Sequence, residues 1–339
     1  MLRCVEALRS QHSPLHEILV VDNGSTDGSP ERIRQADPAV RLVALGDNKG
    51  LPAARNVGLR MLDAELALSI DNDMYLEPDC VGLLLAAQKA EAADVVCPRI
   101  VLIPEQHLVQ CDGAWVYFLG TLGLRHGFRP IAGLPEERAV VGGSTGACML
   151  MNREQVLKAN GFEELFFFYF EDLEFSLRLR GRGLRFLCEP RAVAHHDRGE
   201  GTPGLSFRGK KGSYPPRRAQ LSMRHRWLAM LIHYRWRTLL VLSPALLAYE
   251  LATIGLAMRR GWLREWARGW VWLFSKRGTI QELRRREHPL KVRRDRELLE
   301  AGELPLAPGV LHSGLSRRIG AVLSGLFALY WRLTRRLAG

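Results

Sequence analysis

Five short runs set the terms for folding in the front of this chain: HEILVVD (16–22), VRLVAL (40–45), ELALSI (65–70), DVVCPRIVLI (94–103) and GACMLMN (146–152). Each is too short for a stable helix and rich in apolar or β-branched residues, as strands buried on both faces are. Between them lie segments with helical spacing: LRCVEALRSQ, NKGLPAARNVGLRML, EPDCVGLLLAAQKAEA, NREQVLKANGF and EDLEFSLRLRGRG. Strands that alternate with helices predict an α/β class with a Rossmann-like, mostly parallel sheet. LRFLCEP (184–190) and AVAHH (192–196) add two short strands, and residues 115–141 read as loops or a small antiparallel insertion.

Charge divides the chain. Residues 1–200 hold 21 Lys+Arg against 28 Asp+Glu, and residues 201–339 hold 27 against 8, so a front of −7 is joined to a back of +19. Seven of the eight Trp lie in the back. This predicts a catalytic domain over 1–200, a Gly/Pro/basic linker over 201–220 and a helical, membrane-associating region over 221–339. TLLVLSPALLAYELATIGLAM (238–258) has the length of a bilayer span, but Glu250 interrupts it and arginines flank both ends. Trp262, Trp266 and Trp270 recur every four residues among Arg264 and Arg268, the pattern of an interfacial helix. A peripheral or monotopic attachment to anionic lipid is expected, with one span as the alternative. Arginines interleaved with long leucine runs, and no nucleic-acid motif, argue against nucleic acid. The six scattered Cys form no C-x-x-C pair and no zinc spacing, so unpaired thiols in a reducing cytoplasm are expected. No apolar leader follows Met1, and no signal peptide is expected.

Two acidic features suggest chemistry. ELALSI runs directly into Asp71-Asn72-Asp73, at the carboxyl end of a strand, where open α/β sheets bind ligands. Residues i and i+2 of an extended backbone point the same way, so Asp71 and Asp73 can face one cation, Mg²⁺ or Mn²⁺, held against an anionic ligand. The bland reading is a polar strand end or a helix cap. Glu171-Asp172 opens a helix after FFFYF; from the residues alone it is a general base or a pair of capping acids.

The ordered set EILVVDNGSTDGS, NKGLPAARNVG, LSIDNDMYLEPD, GGSTGACMLMNREQVLKANGFEELFFFYFEDLEFSLRLRGRG and AVAHH resembles the family 2 glycosyltransferases of GT-A fold, and within them the rhamnosyltransferase-like bacterial enzymes of cell-surface polysaccharide. The resemblance implies an inverting, metal-dependent transfer from a UDP- or dTDP-sugar to a glycan or lipid-linked acceptor at the cytoplasmic face of the inner membrane. It implies a donor site of Asp22, Asn23, Lys49, Arg55, Asp71 and Asn72. Lys49 and Arg55 would meet phosphate charge, and Asn23 the nucleobase. It makes Asp73 the direct metal ligand, with Asp71 on ribose or a metal-bound water. One of His195 and His196 would lie near the metal, His195 being favoured. It gives the base role to Asp172, beside Glu171. It also implies a strand upstream of Leu2 in the centre of the sheet, and a start about 25–35 residues earlier, a length set by one strand, its turn and part of a helix. The Q-x-x-R-W motif of processive synthases is absent, so transfer of one or a few sugars is expected. The rival readings are a non-catalytic membrane-bound scaffold with a degraded donor site, and a sugar nucleotidyltransferase. The second would need a Gly-rich, Lys/Arg-containing loop after the first strand.

Overall fold

The structure, a computed structural model, describes residues 1–197, 215–305 and 314–339. Most of the proposed linker, residues 201–214, lies outside them. Residues 216–220 belong to a helix rather than to a linker.

Two compact units are present. The first comprises Met1–Ala114, Leu124–Phe175 and Leu184–Gly199. In chain order it begins α1 (Leu2–Arg9), β1 (Leu19–Asp22), α2 (Ser29–Ala36), β2 (Arg41–Ala44), α3 (Leu51–Met61), β3 (Leu66–Ile70), β4 (Met74–Leu76), α4 (Cys80–Glu91) and β5 (Val95–Ile103). Then come β6 (Val109–Cys111), β9 (Ala139–Val140), β10 (Cys148–Asn152), α5 (Arg153–Lys158), the start of α6 (Glu171–Gly181) and β11 (Phe186–Asp197); β7 (Ala114–Tyr117) and β8 (Thr121–Leu124), between β6 and β9 in the chain, fall mainly in the second unit. Pro30 and Pro52 fall in the first turns of α2 and α3, where a missing N–H costs nothing. Asn152 caps α5 by accepting the Gln155 N–H at 3.0 Å.

The sheet differs from the one expected. β1 and β2 pair in parallel as a two-stranded sheet of their own. The main sheet runs β3-β10-β5-β11-β4, with β6 on β5 and β9 on β11. Only β5 and β11 are parallel within it; β10 is antiparallel to both β3 and β5, and β4 to β11. The expected mostly parallel sheet is thus corrected to a mixed one. The chain leaves β5 through short strands rather than through a crossover helix, so β10 returns in the opposite direction. LRFLCEP and AVAHH form one strand, not two. Pro190 lies where the register shifts between Glu189 and Val193, and pairing with β5 resumes beyond it. The core beneath α1 and α4 includes Val5, Met74, Leu84, Val96, Ile100, Leu150 and Ala194.

The second unit comprises Trp115–Gly123, Ser176–Gly183 and Glu200–Gly339, so it draws in two segments from the front of the chain. Its helices are α7 (Pro216–His233), α8 (Trp236–Arg260), α9 (Leu263–Ser275), α10 (Arg277–Glu287), α11 (Asp295–Leu298) and α12 (Gly314–Thr334), and β12 (Leu299–Glu300) pairs in parallel with β7. Among the described residues, α8 alone is long and apolar enough to cross a membrane. Its one interior charge is consumed inside the unit. Glu250 accepts from Arg226 at 2.5 Å, from the Trp227 indole at 2.8 Å and from the Trp266 indole at 2.7 Å. Trp270 lies against Trp227, with ring centroids 5.2 Å apart. Trp266 and Trp270, read from spacing as an outward interfacial stripe, are therefore turned toward α7 and α8.

Candidate active site

Helix α3 begins against the loop that precedes α6. Gly50 has φ +92°, and a Cβ there would lie 2.7 Å from both the ring and the carbonyl oxygen of Phe167. The Leu51 N–H donates to that same oxygen at 2.8 Å. One turn on, the buried Asn56 side chain grips the same loop, accepting the Phe162 N–H at 2.7 Å and donating to the Phe162 carbonyl at 2.8 Å. The loop carries left-handed backbone at Phe167, Tyr169 and Phe170, an arrangement non-glycine residues hold only where surrounding contacts over-determine it. It delivers the chain to Glu171 and Asp172 at the start of α6.

Arg55 sits beside Asn56 and faces the carboxylates. Its Nη2 donates to Asp71 Oδ1 at 2.8 Å and to the Gly146 carbonyl at 2.6 Å, and its Nη1 is 3.6 Å from Glu171 Oε1. A Cβ at Gly146 would lie 2.3 Å from Arg55 Nη1, so only glycine lets the guanidinium through. Burial raises the Glu171 carboxyl to about 8; neighbouring Asp172 adds to the rise and Arg55 opposes it. Burial also raises Asp172, opposed by the N–H groups of Leu173 and Gly146 and by Arg55. Asp71 is raised by burial as well, Arg55 pulling it back and Asp73 pushing it up. Three carboxyl groups thus share one guanidinium, with Asp73 beside them, and Arg55 Nη1 and Glu171 Oε2 are buried with no hydrogen-bond partner. The cluster holds more acid than its own cation can neutralise.

At the tip of β3 the excess meets an imidazole. His196 Nε2 is 3.4 Å from Asp73 Oδ2, and its Nδ1 is 2.7 Å from Oε1 of the buried Gln110. With Gln110 accepting from Nδ1–H, the Nε2 lone pair faces Asp73. The adjacent His195 points the other way along β11, as strand alternation requires, and its Nε2 is 2.6 Å from Glu77. One carboxylate and one imidazole nitrogen suit a divalent cation that completes its shell with water and phosphate oxygens, as Mg²⁺ and Mn²⁺ do. Among the described residues, no group of three His, Cys, Asp or Glu could hold a metal alone.

The profile of Glycosyl transferase family 2 matches residues 1–154. The N-acetylglucosaminyl-diphospho-decaprenol L-rhamnosyltransferase of Mycobacterium tuberculosis H37Rv is 30% identical over 203 residues, covering 53% of this chain and 66% of that protein. The O-antigen biosynthesis protein RfbC of Myxococcus xanthus is 30% identical over 212 residues, covering 57% of this chain and 16% of that protein. A crystal structure of GalNAc-T7 with UDP, GalNAc and Mn²⁺ superposes with TM-score 0.53 at 14% identity, over 68% of this chain and 45% of that one, a likeness of fold. Residues 1–154 form a glycosyltransferase family 2 domain. The first unit has the GT-A fold. The chain spans only part of the length of either relative.

Within this family 2 frame, the residues singled out in the sequence fall into distinct surroundings. Asp71, Arg55, Glu171 and Asp172 form one electrostatic cluster, continued by Asp73 and His196. Arg55, expected at phosphate, instead gives its charge to Asp71 and Glu171. Asp22 receives the Ser25 N–H on both oxygens at 3.2 Å and so holds a turn. Asn23 Oδ1 accepts the Lys49 N–H at 2.8 Å, which ties the loops after β1 and β2 together. The Lys49 amine is 3.4 Å from Asp47, and Asn72 is exposed in the turn after β3. Gln110, Gly146 and Asn56 escaped sequence reading. Gly146 lies within the quoted GGSTGAC motif, and its signal is a glycine two residues before a buried strand. Gln110 carries no local signal, because its role depends on a partner 86 residues away.

Proposed function

We propose that the first unit catalyses an inverting, metal-dependent glycosyl transfer from a UDP- or dTDP-sugar to a hydroxyl of a glycan or lipid-linked acceptor in cell-surface glycan synthesis. The observation that carries this reading is the shared guanidinium. A site with four carboxyl groups, one internal cation and an open Asp73–His196 edge is built to receive positive charge with a diphosphate on it.

Asp73 and His196 would hold Mg²⁺ or Mn²⁺, which supplies Lewis acidity to a departing diphosphate. Asp172 accepts the proton of the acceptor hydroxyl. The acceptor oxygen forms its bond to the anomeric carbon as the bond to the diphosphate oxygen breaks, and the diphosphate leaves with the electron pair. One displacement inverts the anomeric centre and needs one base. The pair supplies one: Glu171, the more deeply buried, keeps its proton near neutrality, and two adjacent charges would repel. The raised Asp172 is a stronger base than a solvated carboxylate. Arg55 orients both acids and sets their shared charge. Asn23, with Lys49, would line the nucleoside end. The mycobacterial relative, named for an acceptor linked to decaprenyl diphosphate, supports an acceptor at a membrane, and we place the protein on the cytoplasmic face of the inner membrane.

A panel of nucleotide sugars with Mn²⁺ or Mg²⁺ tests the reading. Transfer should require a divalent ion and fall about 10²–10⁴-fold in Asp172→Asn, with donor affinity retained. Asp73→Ala should weaken metal and nucleoside diphosphate binding together. Near-full transfer by Asp172→Asn would remove Asp172 from the base role.

A further inference from the structure

The second unit has a surface that none of the described residues covers. On α8, Leu240, Leu247, Leu251 and Met258 are each 58–75% exposed. Steps of seven, four and seven residues align them on one edge of a 3.6-residue helix. Thr238, Leu242, Ala245 and Leu246 are buried on the opposite edge. On α12, Val322, Leu326, Leu329 and Leu333 form a second ridge, 47–70% exposed. Trp331 is buried on its far side, stacked on Phe118 at 5.2 Å. The two helices are neighbours. The Tyr330 hydroxyl donates to the Val241 carbonyl, and the Gly339 N–H to Thr238 Oγ1 at 3.1 Å. Both contacts join the end of α12, or the residues after it, to the start of α8.

We propose that these two leucine ridges form a monotopic membrane-docking face, submerged together at the headgroup–acyl boundary of an anionic bilayer with both helices in the membrane plane. The rim selects that occupant. Arg237, Arg259 and Arg260 flank the α8 ridge, Arg332, Arg335 and Arg336 the end of α12, and all six are exposed. A second copy of the chain laid on the same ridges would set arginine against arginine. Anionic headgroups complement them, each basic residue near such a surface adding to the attraction. A span is disfavoured because one side of α8 already lies on protein and both its ends are cationic. Glu250, which would obstruct entry into lipid, never meets it: Arg226, Trp227 and Trp266 hold it inside the unit. The lipid-facing element is therefore α8 with α12, in place of the tryptophan face of α9. This deepens the membrane part of the proposed function and is independent of its chemistry.

All six native cysteines are buried, so nitroxides attached to single introduced cysteines report their own positions. Full-length Leu240→Cys, Leu247→Cys, Met258→Cys and Leu326→Cys proteins are labelled and mixed with phosphatidylcholine–phosphatidylglycerol vesicles. Depth is read from collisions with oxygen and with a nickel chelate. A common depth of about 5–10 Å at all four sites is expected. A depth maximum at Leu247 with shallow Leu240 and Met258 would mean a span and overturn the proposal. Labels shielded without vesicles, in a dimer, would mean a second copy and overturn it equally. Leu247→Glu/Leu326→Glu should lower vesicle partition at least about tenfold with unchanged circular dichroism, since both positions are exposed; wild-type flotation of this variant would sink the proposal. Arg259→Ala/Arg260→Ala should lose binding several-fold on phosphatidylglycerol vesicles and little on phosphatidylcholine alone. None of these readouts uses glycosyl transfer, so the docking face and the chemistry fail separately.

Discussion

Two buried charge clusters, one in each unit, are built as opposites. Around Arg55, one cation serves Asp71 and Glu171 with Asp172 close by, and buried polar atoms remain unpaired. Around Glu250, one carboxylate receives a guanidinium and two indoles, and both of its oxygens are bonded. Buried polar groups left unsatisfied cost free energy that folding has to offset elsewhere. The Glu250 cluster avoids that cost and behaves as a joint between α7, α8 and α9. The Arg55 cluster bears it, which is the mark of a site completed by something from solution. Saturation separates these two clusters, each of which buries charge.

The largest test of that contrast is kinetic. Asp172→Asn should lower kcat about 10²–10⁴-fold in steady-state transfer assays and leave the melting temperature nearly unchanged, whereas Glu250→Gln should leave the rate in place. Stability gives the converse. Glu250→Leu strands the buried Arg226, which cannot shed its proton, and should cost about 3–5 kcal/mol in urea unfolding at any pH. Arg55→Met strands carboxylates that can take up protons, so its cost should shrink as pH falls. Equal pH dependence in both variants would erase the distinction. Smaller is the effect at Gln110. Gln110→Leu should weaken Mn²⁺ binding about 10–100-fold by calorimetry, the usual worth of a residue that orients a metal-bound histidine. Gln110→Glu still accepts from Nδ1–H and should restore most of it; a Gln110 that donates to Nδ1 instead would make the glutamate variant the worse of the two. Last is the proton on Glu171. Its carboxyl is raised from 4.5 to about 8, so the folded state binds more protons than the unfolded one between those values. Stability should fall as pH rises across that window, then level off above it. Glu171→Gln should flatten the slope in a pH series of thermal melts.

What could be read from the sequence was local. β1, β3, β5 and β10 announce themselves as apolar runs, and Asp71-Asn72-Asp73 marks the tip of β3. The direction of β10 could not be read, since it depends on the path taken by residues 104–147. Pro190 looked like a strand end because proline usually interrupts a ladder, yet pairing with β5 resumes past it. Spacing put Trp266 and Trp270 on one helix, where their rings lie against each other, and could not say what they meet; Trp262 is the residue before that helix. The partner of Trp266, Glu250, lies on another helix. The two histidines stayed open for the same reason: alternation guarantees that they diverge, and only the positions of Asp73 and Glu77 decide which goes where.

The loop from Phe167 to Phe170 has a consequence for how this protein tolerates change. Three left-handed aromatic residues store about 1–3 kcal/mol each, and the restraint comes from α3, through Asn56 and the bare backbone at Gly50. Mutations at that anchorage touch no reactant, yet they would let the hinge before Glu171 relax and carry the acid pair off its mark. Tuning of turnover is then accessible from Gly50 and Asn56, whose contacts are with the loop and not with the acid pair.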